Sequence, residues 1–515
     1  MPTPTTTETR MPTYAPPRSL PLHPAGLGLR VENAATAARE RTGLLLGVVL
    51  LLAASAFALQ LGSSSLFIDE VYSWQASRGS LGDLGHALQY SEVAPPLYYL
   101  LLHFWMQIAG SDSEIVLRLP SVLAGVGLVG SVYWLGGLVA GRRAGLLAAT
   151  LAAVSPLVLL YAQQVRAYIF VMLALTITVA AVLQATRDRS LKWLIIAAGA
   201  ALCSVMAHYT AVLVLAPVVL WLWYQPEIDL RWRIGFAAAI AVPLGALVPL
   251  ALEQTSQGHH DSAATYASLT MFNALRIAGS PFDGRATGGF MVARELGAVI
   301  VVEVLALLAL AERFRGVRAR WLIAACGAVP LAGVLLASAL NQPVALTRYT
   351  AVAVPFILVA IAAVAVRLPR PLAALLLTLT LVASGIGLLA AQRDEGRNPD
   401  TRAAIETVAD NWRQGDVVVS LGLLGFDGAL SYYGEKLLPA GSSTVPGFST
   451  LARAGEAPVV FEAAIDGRRI WFLSDPVMSA KELRAGFARL GLKPVFARTF
   501  TGNAKIQLVR AEPIR

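Results

Sequence analysis

The sequence predicts an α-helical polytopic membrane protein with about eleven transmembrane helices and a small C-terminal α/β domain. Of its 515 residues, 56% are hydrophobic and only 14% are charged, whereas a soluble domain carries roughly 25% charged residues. The mean hydropathy is +0.62, and a single soluble core stops growing at about 250–300 residues. These values exclude a secreted enzyme, a cytosolic dinucleotide-dependent dehydrogenase and a disordered adaptor. The two cysteines, Cys203 and Cys326, lie in apolar runs, which excludes a disulfide framework or a Cys-rich metal site.

The chain opens with a segment that has no apolar period. Residues 1–42 are rich in Pro, Thr and Arg, a composition typical of disorder because it offers little apolar surface to bury. The first apolar run begins at Gly43, behind Arg39 and Arg41. That run is long enough to span a bilayer, so we expect an uncleaved anchor and a cytoplasmic N-terminal tail.

Eleven apolar runs are candidate membrane spans, since a span needs about 20 residues. The stretch from 191 to 224 is long enough for two helices with a break near His208-Tyr209. The runs lie at roughly 43–62, 115–140, 144–160, 167–186, 191–208, 209–224, 234–252, 290–310, 321–340, 349–366 and 371–391. Residues 43–391 therefore form the predicted membrane domain, without a convincing internal repeat.

Basic residues mark the connections on one side of the membrane. With the N-terminus inside, five very short connections contain thirteen Lys and Arg residues, and cytoplasmic loops carry such an excess. We therefore expect a multi-pass protein of the plasma or inner membrane, with a cytoplasmic N-terminus and, after an odd number of spans, an external C-terminus. The thirteen are Arg142, Arg143, Arg187, Arg189, Lys192, Arg231, Arg233, Arg313, Arg315, Arg318, Arg320, Arg367 and Arg370.

Two connections on the outer side are long, at 63–114 and 253–289. The first contains patches of helical period that suit helices lying along the membrane surface. From residue 392 onward the composition becomes that of a soluble protein, which predicts an extracytoplasmic α/β domain over 392–515. The predicted elements of this domain are helices at Asn398–Gln414 and Lys481–Leu490 and strands at Asp416–Ser420, Arg469–Leu473 and Lys505–Val509.

The residues that could carry chemistry lie on the outer side. Asp69-Glu70 follows the first span, and Arg118, Arg166 and Arg348 stand at the outer ends of later spans. The simpler interpretation is a solvated helix cap for the acidic pair and snorkelling for each arginine. Several arginines converging on the outer leaflet indicate an anion instead, because guanidinium groups match phosphate geometry. A carboxylate beside a bound phosphate ester then suggests a general base and an anionic leaving group.

An ordered set of motifs resembles the membrane glycosyltransferases of the GT-C fold. The nearest branch is the group of dolichyl-phosphate-mannose protein mannosyltransferases and aminoarabinose lipid A transferases. The resemblance covers roughly residues 43–370 and is strongest over 66–170. The motifs are, in order, FIDE, APPLYYLLLHFW, RLPSVLAG, GRRAGLLAATLAAVSP, YAQQVRAY and a late TRY.

The resemblance implies an enzyme that takes a sugar from a polyprenyl-phosphate donor in the outer leaflet and inverts its anomeric centre. It assigns Asp69 as the general base that deprotonates the acceptor hydroxyl, with Glu70 in support. It assigns Arg166 and Arg348 to the donor phosphate. The further substrate-binding residues that we predict are Tyr161, Gln163, Tyr168, Glu92, His208, Tyr209 and Tyr349.

The sequence departs from its relatives at two positions. Gln164 stands where relatives carry an acidic residue, and Ala94 where many carry His before the Pro-Pro pair. If either position binds a divalent cation in relatives, this chain lacks that ligand; Glu92 could compensate or could solvate a loop. We therefore assign no metal ligand and no certain cofactor, and a divalent cation stays an open alternative.

Other polar residues have a structural interpretation as well as a functional one. His259-His260-Asp261 in the second long connection suggests a metal site, although adjacent histidines in a polar loop are usually solvated. His103 and His208 suit interhelical hydrogen bonds, and His208-Tyr209 could also touch the donor. In the C-terminal domain, Asp400 is expected to cap a helix. The remaining candidates there, which fit either acceptor binding or a structural role, are Asp416, Asp427, Tyr432 and Tyr433.

The predicted function is an inverting transfer of mannose, or of a pentose such as arabinose, from a polyprenyl-phosphate donor to a lipid, protein or polysaccharide acceptor of the envelope. Nucleic acid is not an expected partner. Two alternatives stay open. A transporter or flippase of lipid-linked sugars would also need outer arginines, but it should show broken helices in paired positions. A non-catalytic assembly scaffold would be indifferent to the loss of the Asp69 carboxylate.

Overall fold

The computed structural model describes residues 24–90, 92–256, 270–282, 291–340, 346–392, 398, 400–421, 426–445, 468–474, 487–488, 491–501 and 505–514. The chain divides into two compact units, Met1–Leu45 and Leu46–Arg515. The described part of the first unit is helical from Pro24, so residues 24–42 are helical where the sequence predicts disorder. The site and the C-terminal domain belong to the second unit.

Helices make up most of the second unit. Three of them, α2 (Ile68–Arg78), α3 (Leu81–Tyr90) and α4 (Leu97–Ala109), occupy the first long connection. The others are α1 (Pro24–Ala58), which starts in the first unit, and α5 (Glu114–Ala140), α6 (Arg142–Ala153), α7 (Pro156–Ala162), α8 (Tyr168–Asp188), α9 (Leu191–Ala207), α10 (Val212–Trp223), α11 (Leu230–Ser256), α12 (Met271–Ala278), α13 (Met291–Leu310), α14 (Arg320–Ala339), α15 (Thr347–Thr350), α16 (Val354–Ala365) and α17 (Arg370–Gln392). Short 3-10 turns lie at Tyr209–Ala211, Ser280–Phe282, Glu312–Phe314 and Ala351–Ala353.

Each predicted apolar run corresponds to a helix or a series of helices, which confirms the helical membrane fold. Among the described residues, seven helices are long and apolar enough to cross a membrane, or eight if the bent pair α6–α7 forms one span. Leu191–Ala207 and Tyr209–Trp223 are shorter, and α13 contains three charged residues. The total of eleven spans therefore stays a prediction. His259-His260-Asp261 lies outside the described residues.

The α6–α7 bend has a local cause. The two helices meet at an angle of 63°, and Pro156 is the first residue of α7. Proline lacks an N–H group and disfavours a helical conformation in the residue before it, which ends α6. The Ser155 hydroxyl donates to the carbonyl of Pro281 at 2.7 Å, so the bend is tied to another segment.

Helix α16 is the centre of the membrane domain. Every one of its residues is buried, as expected of a helix that is hydrophobic on all sides. It packs against α5, α6, α8, α13 and α14. By contrast, α17 is only partly covered, with Leu372 and Leu389 more than half exposed, as suits a helix at the lipid boundary.

The described residues of the C-terminal domain include a five-stranded mixed sheet and the helices α18 (Thr401–Asp410) and α19 (Phe426–Leu437). The strand order is β2-β1-β3-β5-β4. β1 is parallel to both β2 and β3, whereas β5 is antiparallel to β3 and β4. The strands are β1 (Val417–Leu421), β2 (Ser443–Val445), β3 (Ile470–Ser474), β4 (Leu492–Phe500) and β5 (Ile506–Pro513).

Three of these strands match the predicted ones, while β2, β4 and α19 have no counterpart in the sequence prediction. The first predicted helix is shorter than expected, because it starts at Thr401 with Asp400 as its N-cap. The Asp400 carboxylate accepts from the Ala403 amide at 3.2 Å, which confirms the predicted cap. The predicted helix Lys481–Leu490 lies largely outside the described residues.

Helices α5 and α6 approach closely because glycine faces glycine. A Cβ atom on Gly145 would lie 2.5 Å from the Tyr133 carbonyl oxygen, and one on Gly136 would lie 2.9 Å from the Cα atom of Gly145. Gly145→Ala should therefore lower the free energy of unfolding by about 1–3 kcal/mol through overpacking. Gly137→Ala is the matched control, because nothing lies within 4 Å of its added methyl group. Denaturant titrations in detergent micelles measure both; equal stabilities would contradict the close approach.

Candidate active site

Asp69 and Glu70 begin helix α2 and point in different directions. Successive residues of a helix are rotated by about 100°, so one side chain of the pair can be buried while the other faces open space. The Glu70 side chain is fully buried, and that of Asp69 is 27% exposed. The pair therefore divides into a buried carboxylate and an accessible one.

Glu70 is the centre of a buried polar network. Its two oxygens accept from Nε and Nη2 of Arg118, both at 3.0 Å. They also accept from the backbone amides of Phe67 at 2.8 Å and Val165 at 3.0 Å, and from the Asn398 amide at 3.2 Å. This network joins the start of α2 to α5, to the α7–α8 connection and to the segment before α18.

The Arg118 side chain is buried and binds to groups inside the protein. Besides Glu70, its guanidinium donates to the carbonyls of Leu61 at 2.7 Å, Ser64 at 2.8 Å and Ser65 at 3.1 Å. Only 3% of its side chain is exposed. Of the three arginines predicted at the outer span ends, Arg118 is therefore buried in the network, while the supporting role predicted for Glu70 stays a prediction.

Asp69 lies between the two other predicted arginines. Its Oδ2 accepts from Nη1 of Arg348 at 3.1 Å. Its backbone carbonyl accepts from Nη1 of Arg166 at 3.2 Å, and the same Nη1 donates to the Ser73 hydroxyl at 3.1 Å. The structure thus brings together three residues that are as far as 279 positions apart in the sequence.

Glu92 is the second carboxylate of this charged cluster. It is 6% exposed and lies 3.4 Å from Nη1 of Arg166, and its Oε2 accepts from the Tyr99 hydroxyl at 2.7 Å. The other oxygen, Oε1, has no hydrogen-bond partner among the described residues. Burial raises the pKa of the Glu92 carboxyl above its ordinary value, although Arg166 opposes this shift.

Aromatic rings form one wall beside these charges. Tyr168 packs against Tyr161, with ring centroids 4.7 Å apart, and against His208 at 5.2 Å. His208 continues to Tyr349 at 6.5 Å. The guanidinium of Arg166 lies 5.9 Å from the Tyr168 ring, so the wall and the charged groups are adjacent.

Two predicted substrate residues have other partners. Gln163 donates to the carbonyls of Phe57 at 3.1 Å and Leu59 at 3.0 Å, which closes the end of α1. The Tyr209 hydroxyl donates to Gln254 at 2.9 Å. Gln254 in turn donates to the carbonyls of Leu88 and Ala94, so it connects α11 to the first long connection.

The C-terminal domain packs on α2 through residues to which the sequence analysis gives no specific role. The Tyr433 hydroxyl accepts from the Leu66 amide at 2.7 Å and donates to Glu114, which also pairs with Arg402. Tyr433 is visible in the sequence only as one of two adjacent tyrosines. No local pattern predicts its contact with Leu66, 367 positions away.

Asp112 is a second anchor for this domain. It accepts from the Trp74 indole at 2.7 Å and from Lys436 at 2.5 Å, and its carbonyl accepts from the Tyr432 hydroxyl at 2.9 Å. The Tyr432 ring meets Trp74 edge to face at 4.9 Å. Helix α19 therefore packs on α2 through Trp74, one turn after Glu70.

The side chains that could ligate a metal do not form a dedicated divalent-cation site. No group of three or more His, Cys, Asp or Glu side chains is close enough to hold an ion in the part of the chain that the structure describes. The two carboxylates of the site, Asp69 and Glu92, each face an arginine Nη1. We derive no chemical step through a metal.

Comparisons with known proteins agree with this architecture. Residues 93–252 match the sequence family described as dolichyl-phosphate-mannose-protein mannosyltransferase. No curated protein sequence matches the chain significantly.

Solved structures extend the likeness over almost the whole chain. ArnT from Cupriavidus metallidurans in the apo state matches with a TM-score of 0.53 and 13% identity, covering 92% of this chain and 98% of ArnT. The oligosaccharyltransferase of Archaeoglobus fulgidus in the apo form matches with a TM-score of 0.52 and 12% identity, covering 84% of this chain and 69% of that one. The chain therefore has the GT-C fold of membrane glycosyltransferases, as its motifs indicate.

The buried pair predicts a large difference between two arginine substitutions. Arg118→Met should lower the free energy of unfolding by about 3–5 kcal/mol, because it leaves the Glu70 charge buried and unpaired. Arg78→Met removes a pair with Glu435 that is about half exposed and should cost at most about 1 kcal/mol. Chemical denaturation in micelles measures both. A small loss for Arg118→Met would show that Glu70 is not held as a charged group.

Proposed function

We propose that the protein is an inverting glycosyltransferase that moves a sugar from a polyprenyl-phosphate donor to a hydroxyl acceptor on the outer face of the membrane. The observation that carries the proposal is an accessible carboxylate, Asp69, between two guanidinium groups, Arg166 and Arg348. The fold supports it, because ArnT from Cupriavidus metallidurans has been solved bound to undecaprenyl phosphate, with a TM-score of 0.52 and 13% identity to this chain. The archaeal oligosaccharyltransferase AglB has been solved in complex with an inhibitory peptide and a dolichol-phosphate.

The reaction needs one base and one anion site on opposite sides of the anomeric carbon. The acceptor oxygen attacks that carbon as its proton passes to the Asp69 carboxylate. The bond from the carbon to the phosphate oxygen breaks, and the phosphate leaves with the electron pair toward the guanidinium groups. No covalent nucleophile is required, because a single displacement inverts the anomeric centre, in contrast to retaining glycoside hydrolysis with its covalent intermediate. Phosphate is already a good leaving group, so guanidinium groups suffice to stabilise it.

Arg166 is the preorganised part of the anion site. The Asp69 carbonyl, the Ser73 hydroxyl and Glu92 all fix its Nη1, and only 16% of its side chain is exposed. A donor that is fixed before the reaction and screened from water stabilises developing charge without a reorganisation cost. Glu92 acts in this scheme as the residue that positions Arg166.

Arg348 couples donor binding to the base. In the described state its Nη1 donates to Oδ2 of Asp69 at 3.1 Å, so this carboxylate oxygen is occupied before a donor binds. A donor phosphate that binds Arg348 competes for this guanidinium and frees Asp69 to accept a proton. Its Nε is buried without a hydrogen-bond partner among the described residues, so the guanidinium has capacity for an added acceptor.

The aromatic wall supplies the sugar side of the site. Tyr161, Tyr168, His208 and Tyr349 present ring faces beside the arginines, the mixture of apolar lining and a few polar groups that fixes a small ligand. Mannose is the first donor sugar to test, and a pentose such as arabinose is the second. The acceptor is an envelope lipid, protein or polysaccharide.

Loss of the carboxylate should abolish most of the transfer. We expect Asp69→Asn to reduce kcat by about a hundredfold or more, because a general base contributes about 10²–10⁴ in rate. Asp83→Asn is the matched control, since it removes the same charge from the same outer segment at an exposed position. The measurement is transfer of radiolabelled sugar from polyprenyl-phosphate mannose, arabinose or glucose to an envelope acceptor fraction, with and without chelator.

The outcomes of this assay separate the competing functions. Full activity of Asp69→Asn would remove the proposed mechanism. Movement of the donor across a vesicle membrane with no sugar transferred would favour a flippase. Inhibition by chelator would call for a cation that binds with the substrate.

Removal of Arg348 should weaken both donor binding and catalysis. We expect Arg348→Gln to raise the donor KM and to lower kcat/KM by about 10²–10³-fold, in line with the loss of one oxyanion-stabilising donor. Arg348→Lys should recover only part of the loss, because lysine cannot bind phosphate in a bidentate manner. Arg78→Gln, also in the outer segment, is the control. A change confined to the acceptor KM would show that Arg348 does not meet the donor.

A further inference from the structure

A charged cavity lies at the end of the membrane domain away from the candidate active site. Helix α8 starts at the site with Tyr168 and runs 21 residues to Asp188, which is about 30 Å at 1.5 Å per residue. Its C-terminal end lines a cavity of about 760 Å³. The proposed transfer reaction uses no residue of this cavity.

Two separate connections bring their arginines to this cavity. Arg187 and Arg189 come from the end of α8, and Arg315, Arg318 and Arg320 come from the connection between α13 and α14. Glu227 is the acidic residue of the lining. Arg315 also pairs with Glu312, but both side chains are more than two thirds exposed. The interaction energy of such an exposed pair is small.

The convergence goes beyond what membrane topology requires. The positive-inside rule needs basic residues in the connections but does not require that distant connections share one cavity. Five guanidinium groups around a common space repel one another, and one carboxylate offsets only part of that charge. A cleft lined mainly by one sign of charge concentrates counter-ions. The arrangement is stable when an anion with several oxygens lies among them.

Two residues of the lining have a costly backbone conformation. Arg189 and Ala319 each have φ of 50°, in the left-handed region, which costs a non-glycine residue about 1–2 kcal/mol. Arg189 is the C-cap of α8, a place where glycine is the favourable residue. This position has an arginine instead, and the arginine lines the cavity. Strained backbone conformations of this kind cluster at functional sites.

The apolar part of the lining indicates a lipid. Trp321, which is 54% exposed, stands at the start of the span Arg320–Ala339, and tryptophan at a span end marks the depth of the headgroups. The Arg320 guanidinium lies 4.9 Å from its ring. Trp221, near the end of α10, is the second indole of the lining. Basic pockets between helix ends at this depth bind phospholipid headgroups.

We propose that this cavity binds the phosphate headgroup of an anionic phospholipid in the leaflet opposite the candidate active site. The arginines hold the phosphate oxygens, and the indoles pack on the glycerol and the first acyl carbons. Inorganic phosphate offers the same oxygens without the acyl chains, so the two sources are separable. The inference is independent of the proposed transfer reaction.

The test compares two double variants of the full chain. Arg187→Gln/Arg318→Gln removes two arginines of the lining. Arg142→Gln/Arg143→Gln removes two exposed arginines of another basic connection that do not line the cavity. Native mass spectrometry in detergent counts bound phosphatidylglycerol against phosphatidylcholine, and thermal unfolding verifies that each variant is folded.

We expect the cavity variant to bind phosphatidylglycerol about tenfold more weakly or worse, with the control variant within about twofold of the wild type. Arg187→Lys/Arg318→Lys should lie between them, since it keeps the charge and loses the bidentate geometry; it also replaces the Gln variant if that one does not fold. Equal losses in the cavity and control variants would overturn the proposal in favour of diffuse attraction. Equal binding of phosphatidylcholine, or full displacement by millimolar inorganic phosphate, would also overturn it.

Discussion

The buried ion pair between Glu70 and Arg118 is the interaction on which the site depends. A charge taken out of water must be paired and hydrogen-bonded, and here the two groups receive partners from the end of α1, the start of α2, α5 and the α7–α8 connection. Each of these segments is held in place, because its departure would leave a buried charge without a partner. Asp69, one residue before Glu70, is consequently held at a defined position, although the side chain of Arg348 is the one side-chain partner of its carboxylate among the described residues.

The same network explains why two adjacent acids have different roles. Burial and hydrogen bonds from four residues saturate Glu70, so its carboxylate has no capacity left for substrate. Asp69 retains an accessible carboxylate next to Arg348, and Arg166 is fixed from three directions. In the proposed reaction, Arg166 is the rigid anion-binding group, and Arg348 exchanges the Asp69 carboxylate for a phosphate. A site of this kind can respond to donor binding without movement of a helix.

The sequence could predict the helical membrane fold and the grouping of Asp69, Arg166 and Arg348, because apolar runs and charges at span ends are local signals. Apart from the family resemblance, it could not separate Asp69 from Glu70, since the burial of Glu70 depends on Arg118, 48 positions further along the chain. For the same reason it could not separate Arg118, which is buried in the network, from Arg166 and Arg348. In the C-terminal domain, β2 has only three residues and β4 has exposed runs instead of alternation, so neither has a strand pattern.

The contact from Asn398 to Glu70 has a consequence for how the protein folds during its synthesis. Translation proceeds from the N-terminus, so the membrane helices are made before residues 398–437 exist. Until these residues reach the same side as α2, Glu70 lacks its amide donor and the Leu66 amide lacks the Tyr433 hydroxyl. A nascent chain with all its membrane helices inserted therefore has an incomplete polar network, which is completed only when Asn398 and Tyr433 reach Glu70 and Leu66.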